Sequence, residues 1–175
     1  SVKKFADRPA YTNFGKTISY RDVDTYTAQL ASYLKIELGL EKGDRVGVMM
    51  PNLLQNPIAI FGILRAGLVV VNTNPLYTTR ELKHQMNDSG AKAIIIVENF
   101  AHVLEVVIDE TPVEHVITTQ LGDMLSPLKG FIINTVVKYV KKMVPPFKLK
   151  NAVTFKQALK LGSNHQFQSV HTDHD

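Results

Sequence analysis

Apolar residues along this chain follow two alternating spacings. Continuous apolar runs, typical of strands covered on both faces of a parallel sheet, occupy Arg45–Met50, Leu68–Val71, Ala93–Val97 and His115–Thr118. Between these runs, apolar residues recur every three or four positions, which predicts amphipathic helices. Strands alternating with helices predict an α/β fold, with a mostly parallel sheet flanked by helices on both faces.

Turn and capping residues delimit the predicted elements. Gly15-Lys16 separates Ala10–Phe14 from Thr17–Tyr20 and predicts an N-terminal β-hairpin. Ser19 followed by Asp22, and Thr78 followed by Glu81, predict capping boxes for the helices that come next. Single glycines are expected to end three helices by adopting the left-handed conformation, at Gly39, Gly67 and Gly90.

Four helices are predicted in the first two thirds of the chain. The first is marked by Val23, Tyr26, Leu30, Leu34 and Leu38. The second begins no later than Pro57, with Asn56 as candidate cap. The third spans Thr79–Ser89, and the fourth, Phe100–Glu110, has helical periodicity through Val103, Val106 and Val107.

The pattern changes after Gly122, so we divide the chain into an α/β core at 1–123, a basic helical segment at 124–161 that continues the same domain, and a polar loop at 162–175. Ser126–Gly130 is interpreted as a break. Phe131–Val144 is a candidate helix ended by Pro145-Pro146, and Phe155–Leu161 is a second short one.

Charge is distributed unevenly along the chain. Residues 1–123 contain 12 Lys and Arg against 14 Asp and Glu, whereas residues 124–175 contain 8 against 2. Residues 129–150 carry six lysines and no acid beside a broad apolar helix face. We favour an ordinary amphipathic helix packed on the sheet; the alternative is contact with an anionic membrane. Nucleic-acid binding is not expected, because the segment lacks arginine and an aromatic stacking platform.

Composition excludes several classes of protein. Without cysteine there is no disulfide framework or thiolate zinc site. The start of the chain has no signal-peptide pattern, and no window reaches the roughly 18 consecutive apolar residues of a membrane span. We therefore expect a cytoplasmic protein, with peripheral contact at the inner face of the cell membrane if the basic segment binds lipid.

Motifs that carry chemistry are missing from the sequence. It has no Gly-x-Ser-x-Gly elbow and neither of the common glycine-rich phosphate loops. His171 and His174, with Asp173 and Asp175, have only weak metal-ligand spacing on a polar tail. His84, His102 and His115 have no evident partner. We therefore assign no catalytic, cofactor-binding or metal-binding residue to this chain.

Several motifs, in order, resemble the acyl-adenylate-forming (AMP-binding) enzymes. They are Thr17–Val23, Gly43–Asn52 and Leu64–Pro75. Three further stretches make the chain similar to the long-chain fatty-acid–CoA ligase (acyl-CoA synthetase) branch of that superfamily, namely 75–82 with 87–91, Asn99–His102 and Val137–Lys141. The resemblance covers nearly the whole chain and implies the N-terminal subdomain of the adenylate-forming fold.

The resemblance implies a two-step reaction that uses ATP and Mg²⁺, with fatty acid and coenzyme A as substrates. That family binds phosphate with a Gly/Ser/Thr-rich loop, which we expect beyond Asp175. The chain is therefore expected to be an N-terminal piece of the enzyme, inactive alone, with no cofactor bound, and able to associate, for example as a homodimer, through an exposed edge or apolar face. Alternatives are another acyl- or aryl-CoA ligase and a non-enzymatic lipid-surface or binding module.

Turn residues at the strand ends are the remaining candidates for a supporting role. They are Asn52, Gly67, Asn72, Asn74 and Pro75. Asparagine and glycine tolerate unusual backbone angles, and the carboxyl ends of parallel strands border the ligand crevice in open α/β sheets. We expect these residues to shape turns beside the crevice.

Overall fold

A computed structural model describes residues 4–166 of the 175-residue chain. It begins with an antiparallel hairpin of β1 (Pro9–Asn13) and β2 (Lys16–Ser19). The turn lies at Phe14-Gly15, one residue earlier than predicted, and both residues have positive φ angles of 47° and 71°. A two-residue hairpin turn of this kind requires that conformation at both central positions, so Phe14 accepts a backbone that usually favours glycine.

The predicted alternation of helices and strands is confirmed. The elements after the hairpin are α1 (Tyr20–Ser32), β3 (Arg45–Met49), α2 (Gln55–Arg65), β4 (Val69–Asn72), α3 (Thr79–Ser89), β5 (Ala93–Val97), α4 (Ala101–Val107), β6 (His115–Thr119), α5 (Pro127–Thr135), β7 (Val153–Thr154) and α6 (Phe155–Gly162). The helices α1 and α5 each continue as a π-helical turn, at Tyr33–Glu37 and Val136–Val140. Short 3₁₀ turns flank α4 at Glu98–Phe100 and Ile108–Glu110.

The five later strands form one parallel sheet in the order β4-β3-β5-β6-β7, with β5 at its centre. Side chains of β5 alternate between two cores. Ala93, Ile95 and Val97 pack with α1, α2 and α6, whereas Ile94 and Ile96 pack with α3 and α4. The fold is therefore a three-layer α/β/α arrangement, and each buried isoleucine contributes about 1.5–3 kcal/mol.

Both predicted capping boxes are confirmed. The Ser19 backbone N–H donates to Asp22 Oδ2 at 2.8 Å, and the Asp22 N–H donates to Ser19 Oγ at 3.1 Å. Thr78 and Glu81 exchange the same pair of bonds at the start of α3. Gly90 follows α3 with a φ of 65°, as predicted for a helix-ending glycine.

Two predictions within the core are wrong, and a third is only partly right. The strand β4 was expected to be buried, but it is the edge strand, and Val69 is 46% exposed because only β3 lies beside it. Asn56 does not cap α2, which already begins at Gln55. On α4, Val106 is exposed, and the inward face is formed by Ala101, Leu104 and Val107.

The predictions for residues 122–150 also need correction. Ser126–Gly130 is not a break: α5 begins there, with Pro127 in its first turn, a position that proline favours. The helical segment ends at Val140 rather than Val144, because Lys142 adopts a φ of 52° before the prolines. The strand β7 was not predicted, since its two residues carry no periodic pattern.

The apolar face of α5 does not pack on the sheet, so our favoured interpretation of this helix is wrong. Its large apolar side chains and those of the following turns are exposed, namely Leu128 (73%), Phe131 (70%), Ile132 (51%), Tyr139 (68%), Val140 (69%) and Met143 (55%). Helix α5 instead contacts the segment after β6 at Gly130. The two backbones are so close there that a Cβ added to Gly130 would lie 2.5 Å from the Gly122 carbonyl oxygen. The Gly122 N–H also donates to Asn134 Oδ1 at 2.8 Å.

The short helix predicted at Phe155–Leu161 is confirmed as α6, and it joins the main core. Phe155, Ala158 and Leu159 are buried with residues of α1 and α2. Its last residue, Gly162, lies directly against α1, since an added Cβ would lie 1.9 Å from the Gln29 carbonyl oxygen. Of the predicted polar loop 162–175, the part from residue 167 lies outside the described residues.

Candidate functional site

The carboxyl ends of the five parallel strands meet at one edge of the sheet. The chain runs from β3 outward to β4, then returns past β3 to β5 and continues through β6 to β7. The direction of winding therefore reverses between β3 and β5. In open α/β sheets, ligands bind in the crevice outside the carboxyl ends of the strands at such a switch point. We call this region the carboxyl edge; it comprises the segments 50–54, 73–77, 98–100 and 120–126.

A buried polar network ties the segment after β6 to the start of α2. Gln55, only 1% exposed, donates from Nε2 to Thr119 Oγ1 at 3.0 Å and to the Gln120 carbonyl oxygen at 2.8 Å. The Thr119 hydroxyl donates in turn to Asp123 Oδ2 at 3.0 Å. Buried polar groups are costly unless paired, and these bonds fix the β6 turn against α2.

The same turn is joined to two other elements of the carboxyl edge. Gln120 Nε2 donates to Glu98 Oε2 at 2.9 Å, which links the ends of β5 and β6. The Gln120 backbone N–H donates to Asp123 Oδ2 at 2.8 Å, and Lys156 Nζ of α6 lies 3.4 Å from Asp123 Oδ1. Carboxylates on this edge therefore hold loops in place.

The hairpin covers the carboxyl end of β3. Asn13 Nδ2 donates to the Asn52 carbonyl oxygen at 2.9 Å, and Lys129 Nζ of α5 donates to the Phe14 carbonyl oxygen at the hairpin tip. Between the hairpin and α2 lies an open groove of about 380 Å³, lined by Tyr11, Asn13, Asn52, Asn56, Pro57 and Phe61. Its walls combine aromatic, aliphatic and carboxamide side chains and carry no formal charge.

A second groove lies between α5 and α6. It has a volume of about 410 Å³ and is lined by Phe131, Asn134, Thr135, Lys138, Tyr139 and Lys156. Unlike the groove beneath the hairpin, it combines two lysines with two exposed aromatic rings. We call it the α5–α6 groove.

Carboxylates with a lowered pKa serve structural roles elsewhere. The Ser19 and Thr78 backbone N–H groups lower the pKa of Asp22 and Glu81 within the two capping boxes. The Lys92 ammonium, hydrogen-bonded to Asp44, lowers the pKa of Asp44, and Asp44 raises the pKa of Lys92. Because Asp44 and Lys92 precede β3 and β5, this pair lies at the amino edge of the sheet, opposite the crevice.

The turn residues proposed from the sequence occupy both edges of the sheet. Asn74 Oδ1 accepts from the Leu76 N–H at 3.0 Å after β4, and the Asn72 carbonyl oxygen accepts from Gln85 Nε2 at 2.9 Å. Gly67 has a φ of 75° and lies before β4, at the amino edge. The turn role is therefore confirmed for Asn74 and Gly67, whereas Asn72 is the last residue of β4, and Gly67 does not border the crevice.

The histidines do not assemble a site within the described part of the chain. Residues 4–166 contain no group of three or more His, Cys, Asp or Glu side chains that could hold a metal ion. His84 lines a shallow groove beside α3, His102 lies on α4, and His115 begins β6. The candidate pair His171 and His174, with Asp173 and Asp175, lies outside the described residues.

Sequence reasoning missed the polar network and the α5–α6 groove. Thr118-Thr119-Gln120, directly after the apolar residues of β6, was an available signal, because polar residues at a strand end are frequent around crevices. Gln55 offered no signal, since its partners lie 64 and 65 residues away. Lys156 belongs to a helix whose packing partner, α1, begins more than a hundred residues earlier.

Comparison with known proteins defines the class first by fold. A structure of a putative long-chain-fatty-acid CoA ligase from Rhodopseudomonas palustris superposes with a TM-score of 0.73 at 17% identity, over 98% of this chain and 36% of that one. A long-chain-fatty-acid-CoA ligase from Archaeoglobus fulgidus gives a TM-score of 0.62 at 27% identity, over 67% of this chain and 25% of that one. The fold is that of the adenylate-forming enzymes.

Sequence comparison then places the chain in a family. The model of the AMP-binding enzyme family matches residues 1–157, and the chain belongs to that family. It is 56% identical over 167 residues to a long-chain-fatty-acid–CoA ligase of Escherichia coli O6:H1. The match covers 95% of this chain and 30% of the relative, so the chain spans less than a third of that protein's length. The family predicted from the motifs is confirmed.

Proposed function

We propose that this chain is the N-terminal α/β part of a long-chain fatty-acid–CoA ligase. The carrying observation is the 56% identity to such a ligase across 95% of the chain. In the proposed reaction, a fatty-acid carboxylate oxygen attacks the α-phosphorus of ATP and pyrophosphate leaves. The thiol sulfur of coenzyme A then attacks the acyl carbonyl carbon, AMP leaves, and the thiol proton is released.

The chain's own contribution in this proposal is structural support. The hydrogen bonds of Gln55, Gln120 and Asn13 hold three crevice segments in fixed positions, and preorganised groups are what stabilise developing charge at phosphate. Glu98 and Asp123, the carboxylates of the described edge, are engaged by Gln120, Thr119 and Lys156. These residues do not form a magnesium site by themselves, and we assign Mg²⁺ binding to no described residue.

Activity measurements test the proposal directly. The full-length protein that contains this chain is expected to form oleoyl-CoA from oleate, ATP, Mg²⁺ and CoA, with one pyrophosphate released per thioester. Anthranilate and benzoate are the comparison substrates, and a strong preference for either would favour an aryl-CoA ligase instead. The 175-residue chain alone is expected to form no thioester, and turnover by it would contradict the scaffold role.

We further propose that the exposed face of α5 contacts an anionic membrane at its cytoplasmic side. Two observations favour this second role. The apolar residues Leu128, Ile132 and Val140 are half or more exposed at helical spacing, and residues 124–166 contain eight lysines and no acid. An apolar face edged by lysine binds lipid by burial and by attraction to anionic headgroups. No helix among residues 4–166 is long and apolar enough to cross a bilayer.

Vesicle binding distinguishes membrane contact of the exposed α5 face from contact with another protein molecule. We expect the chain to co-sediment with vesicles rich in phosphatidylglycerol at low salt. The double change Lys141→Glu/Lys142→Glu should weaken binding at least tenfold, since each lysine near such a surface contributes about 1 kcal/mol. Lys42→Glu, at the amino edge, is the matched control and should change binding little.

A second copy of the chain is the competing occupant of this face. Analytical ultracentrifugation of the chain and of Val140→Ser tests it. A dimer that Val140→Ser dissociates, together with no sedimentation of the chain with vesicles, would overturn the membrane proposal in favour of a homodimer.

A further inference from the structure

The α5–α6 groove presents hydrogen-bond donors to a ligand. Asn134 Oδ1 already accepts from the Gly122 N–H, so its amide nitrogen remains to donate. Lys138 and Lys156 add ammonium groups, and the Thr135 hydroxyl completes the set. A ligand that satisfies these groups must offer acceptor oxygens, and two ammonium ions favour an anion.

Asp123 balances part of the Lys156 charge, whereas Lys138 forms no ion pair within residues 4–166. Asp123 Oδ1 lies 3.4 Å from Lys156 Nζ, longer than the roughly 2.7–2.9 Å of a strong charge-assisted bond. Asp123 Oδ2 is occupied by the Gln120 N–H and the Thr119 hydroxyl. The Lys138 ammonium lies 5.9 Å from the centre of the Tyr139 ring. Both lysines therefore keep donors available for a ligand.

The apolar part of the groove is formed by Pro127, Phe131 and Tyr139, with the Gln120 side chain beside them. Phe131 and Tyr139 expose 70% and 68% of their surface along one side of α5 and its π-helical turn. Phe131 and Tyr139 are eight residues apart, about 12 Å at the α-helical rise of 1.5 Å per residue. The volume of about 410 Å³ falls within the usual range of roughly 300–1,000 Å³ for small-molecule sites. The ligand that matches is an anion with a long apolar body.

We propose that the α5–α6 groove binds a monomeric long-chain carboxylate, with its head at Lys138 and Lys156 and its hydrocarbon chain along Phe131 and Tyr139. The choice of a carboxylate over another anionic amphiphile rests on the proposed ligase function. Because the groove borders the lysine-edged face of α5, it acts as a collecting site where fatty acid leaves a membrane surface before activation. No covalent step takes place there.

Direct binding without ATP or CoA tests the site apart from ligase activity. Isothermal titration of the 175-residue chain with oleate, below the concentration of micelle formation, should give one site. Lys138→Met and Lys156→Met should each raise the Kd about tenfold or more, since hydrogen bonds to charged groups are the strong ones. Lys156→Arg should retain binding. Lys160→Met, on the same helix but outside the groove, is the matched control, and all variants must melt within a few degrees of the parent chain.

Two analogues distinguish the possible head groups. Oleyl alcohol, which has the same chain without charge, should bind at least tenfold more weakly than oleate. Lysophosphatidic acid offers a phosphate head, and tight binding of it with no binding of oleate would assign the groove to a lipid headgroup and overturn the proposal. Equal Kd values for Lys156→Met and Lys160→Met would overturn it as well.

A kinetic measurement covers the case in which the isolated chain does not fold. In the full-length protein, Lys138→Met should raise KM for oleate several-fold and leave kcat unchanged, while Lys160→Met alters neither. Ligase activity with identical KM in both variants would reject the groove and leave the proposed function standing. Oleate binding by the chain without any thioester formation by the full-length protein would support the groove and reject the proposed ligase function.

Discussion

At the scale of single residues, Asp44 and Lys92 join the starts of two neighbouring strands. Lys92 Nζ lies 2.8 Å from Asp44 Oδ1, and Asp44 Oδ2 accepts from the Glu41 N–H at 2.8 Å. The folded state lowers the pKa of Asp44 and raises that of Lys92. The Asp44 contribution to stability is therefore present above its unfolded pKa and is lost as pH falls through the folded value. The Lys92 contribution is lost only as pH rises through its raised pKa.

Lys92→Met tests this assignment. The difference in free energy of unfolding between the parent chain and Lys92→Met should be constant near neutral pH and should shrink in acid, below the unfolded Asp pKa of about 3.9. Urea unfolding from about pH 7 down to about pH 3 measures it. Lys42→Met, an exposed lysine in the turn before Asp44, is the control. A difference independent of pH would show that the pair does not couple to folding.

Residue-scale prediction succeeded where the partners are close in sequence. Ser19 with Asp22 and Thr78 with Glu81 are three residues apart, so the helix geometry alone brings them together. Gln55 lies at the start of α2 and Thr119 at the end of β6, so these residues meet only once the chain has folded. The pattern around Gln55 instead suggested Asn56 as the helix cap, which the structure does not use.

At the scale of elements, α6 depends on one close approach to α1. Gly162 has no room for a Cβ, which would lie 1.9 Å from the Gln29 carbonyl oxygen and 3.0 Å from the Tyr33 nitrogen. In an open helix, replacing glycine by alanine stabilises by up to about 1 kcal/mol. Here the added methyl group must push two helix backbones apart, so the sign of the effect reverses.

Gly162→Ala should therefore destabilise the chain by about 1–3 kcal/mol, the range for overpacking. Thermal and urea unfolding measure the change. Lys160→Ala, on the exposed side of the same helix, should stay within about 0.5 kcal/mol of the parent. Stabilisation by Gly162→Ala would mean that α6 does not sit against α1 as described.

The existence of most elements could be predicted, but their surroundings often could not. The sequence predicts α5, yet its start at Pro127 and its exposure depend on the contact between Gly130 and Gly122. A helical spacing of apolar residues shows that a face exists and says nothing about what covers it. The same limit explains Val106, which shares the spacing of Val103 and Val107 but faces solvent.

At the scale of the whole molecule, β5 is the structural centre. All five of its residues are buried, and it lies between β3 and β6 with helices on both faces. Ile95→Asp removes about 1.5–3 kcal/mol of burial and adds a carboxylate whose desolvation costs several kcal/mol more. Since domains are stable by only about 5–15 kcal/mol, this variant should not fold cooperatively.

Circular dichroism melting and gel filtration test that expectation. Val106→Asp places the same charge on an exposed site of α4 and should melt like the parent chain. A cooperative transition for Ile95→Asp would contradict the central position of β5.

The sequence by itself determined the α/β class, the capped helices, the four main strands of the parallel sheet and the family, because these depend on local spacing, on capping pairs a few residues apart and on motif order. Only the tertiary structure decided that β4 is an edge, that Gln55 locks the β6 turn, and that α5 turns its apolar side outward beside Lys156. Each of these depends on contacts between residues far apart in the chain, which strand order and helix packing create and which no local pattern encodes.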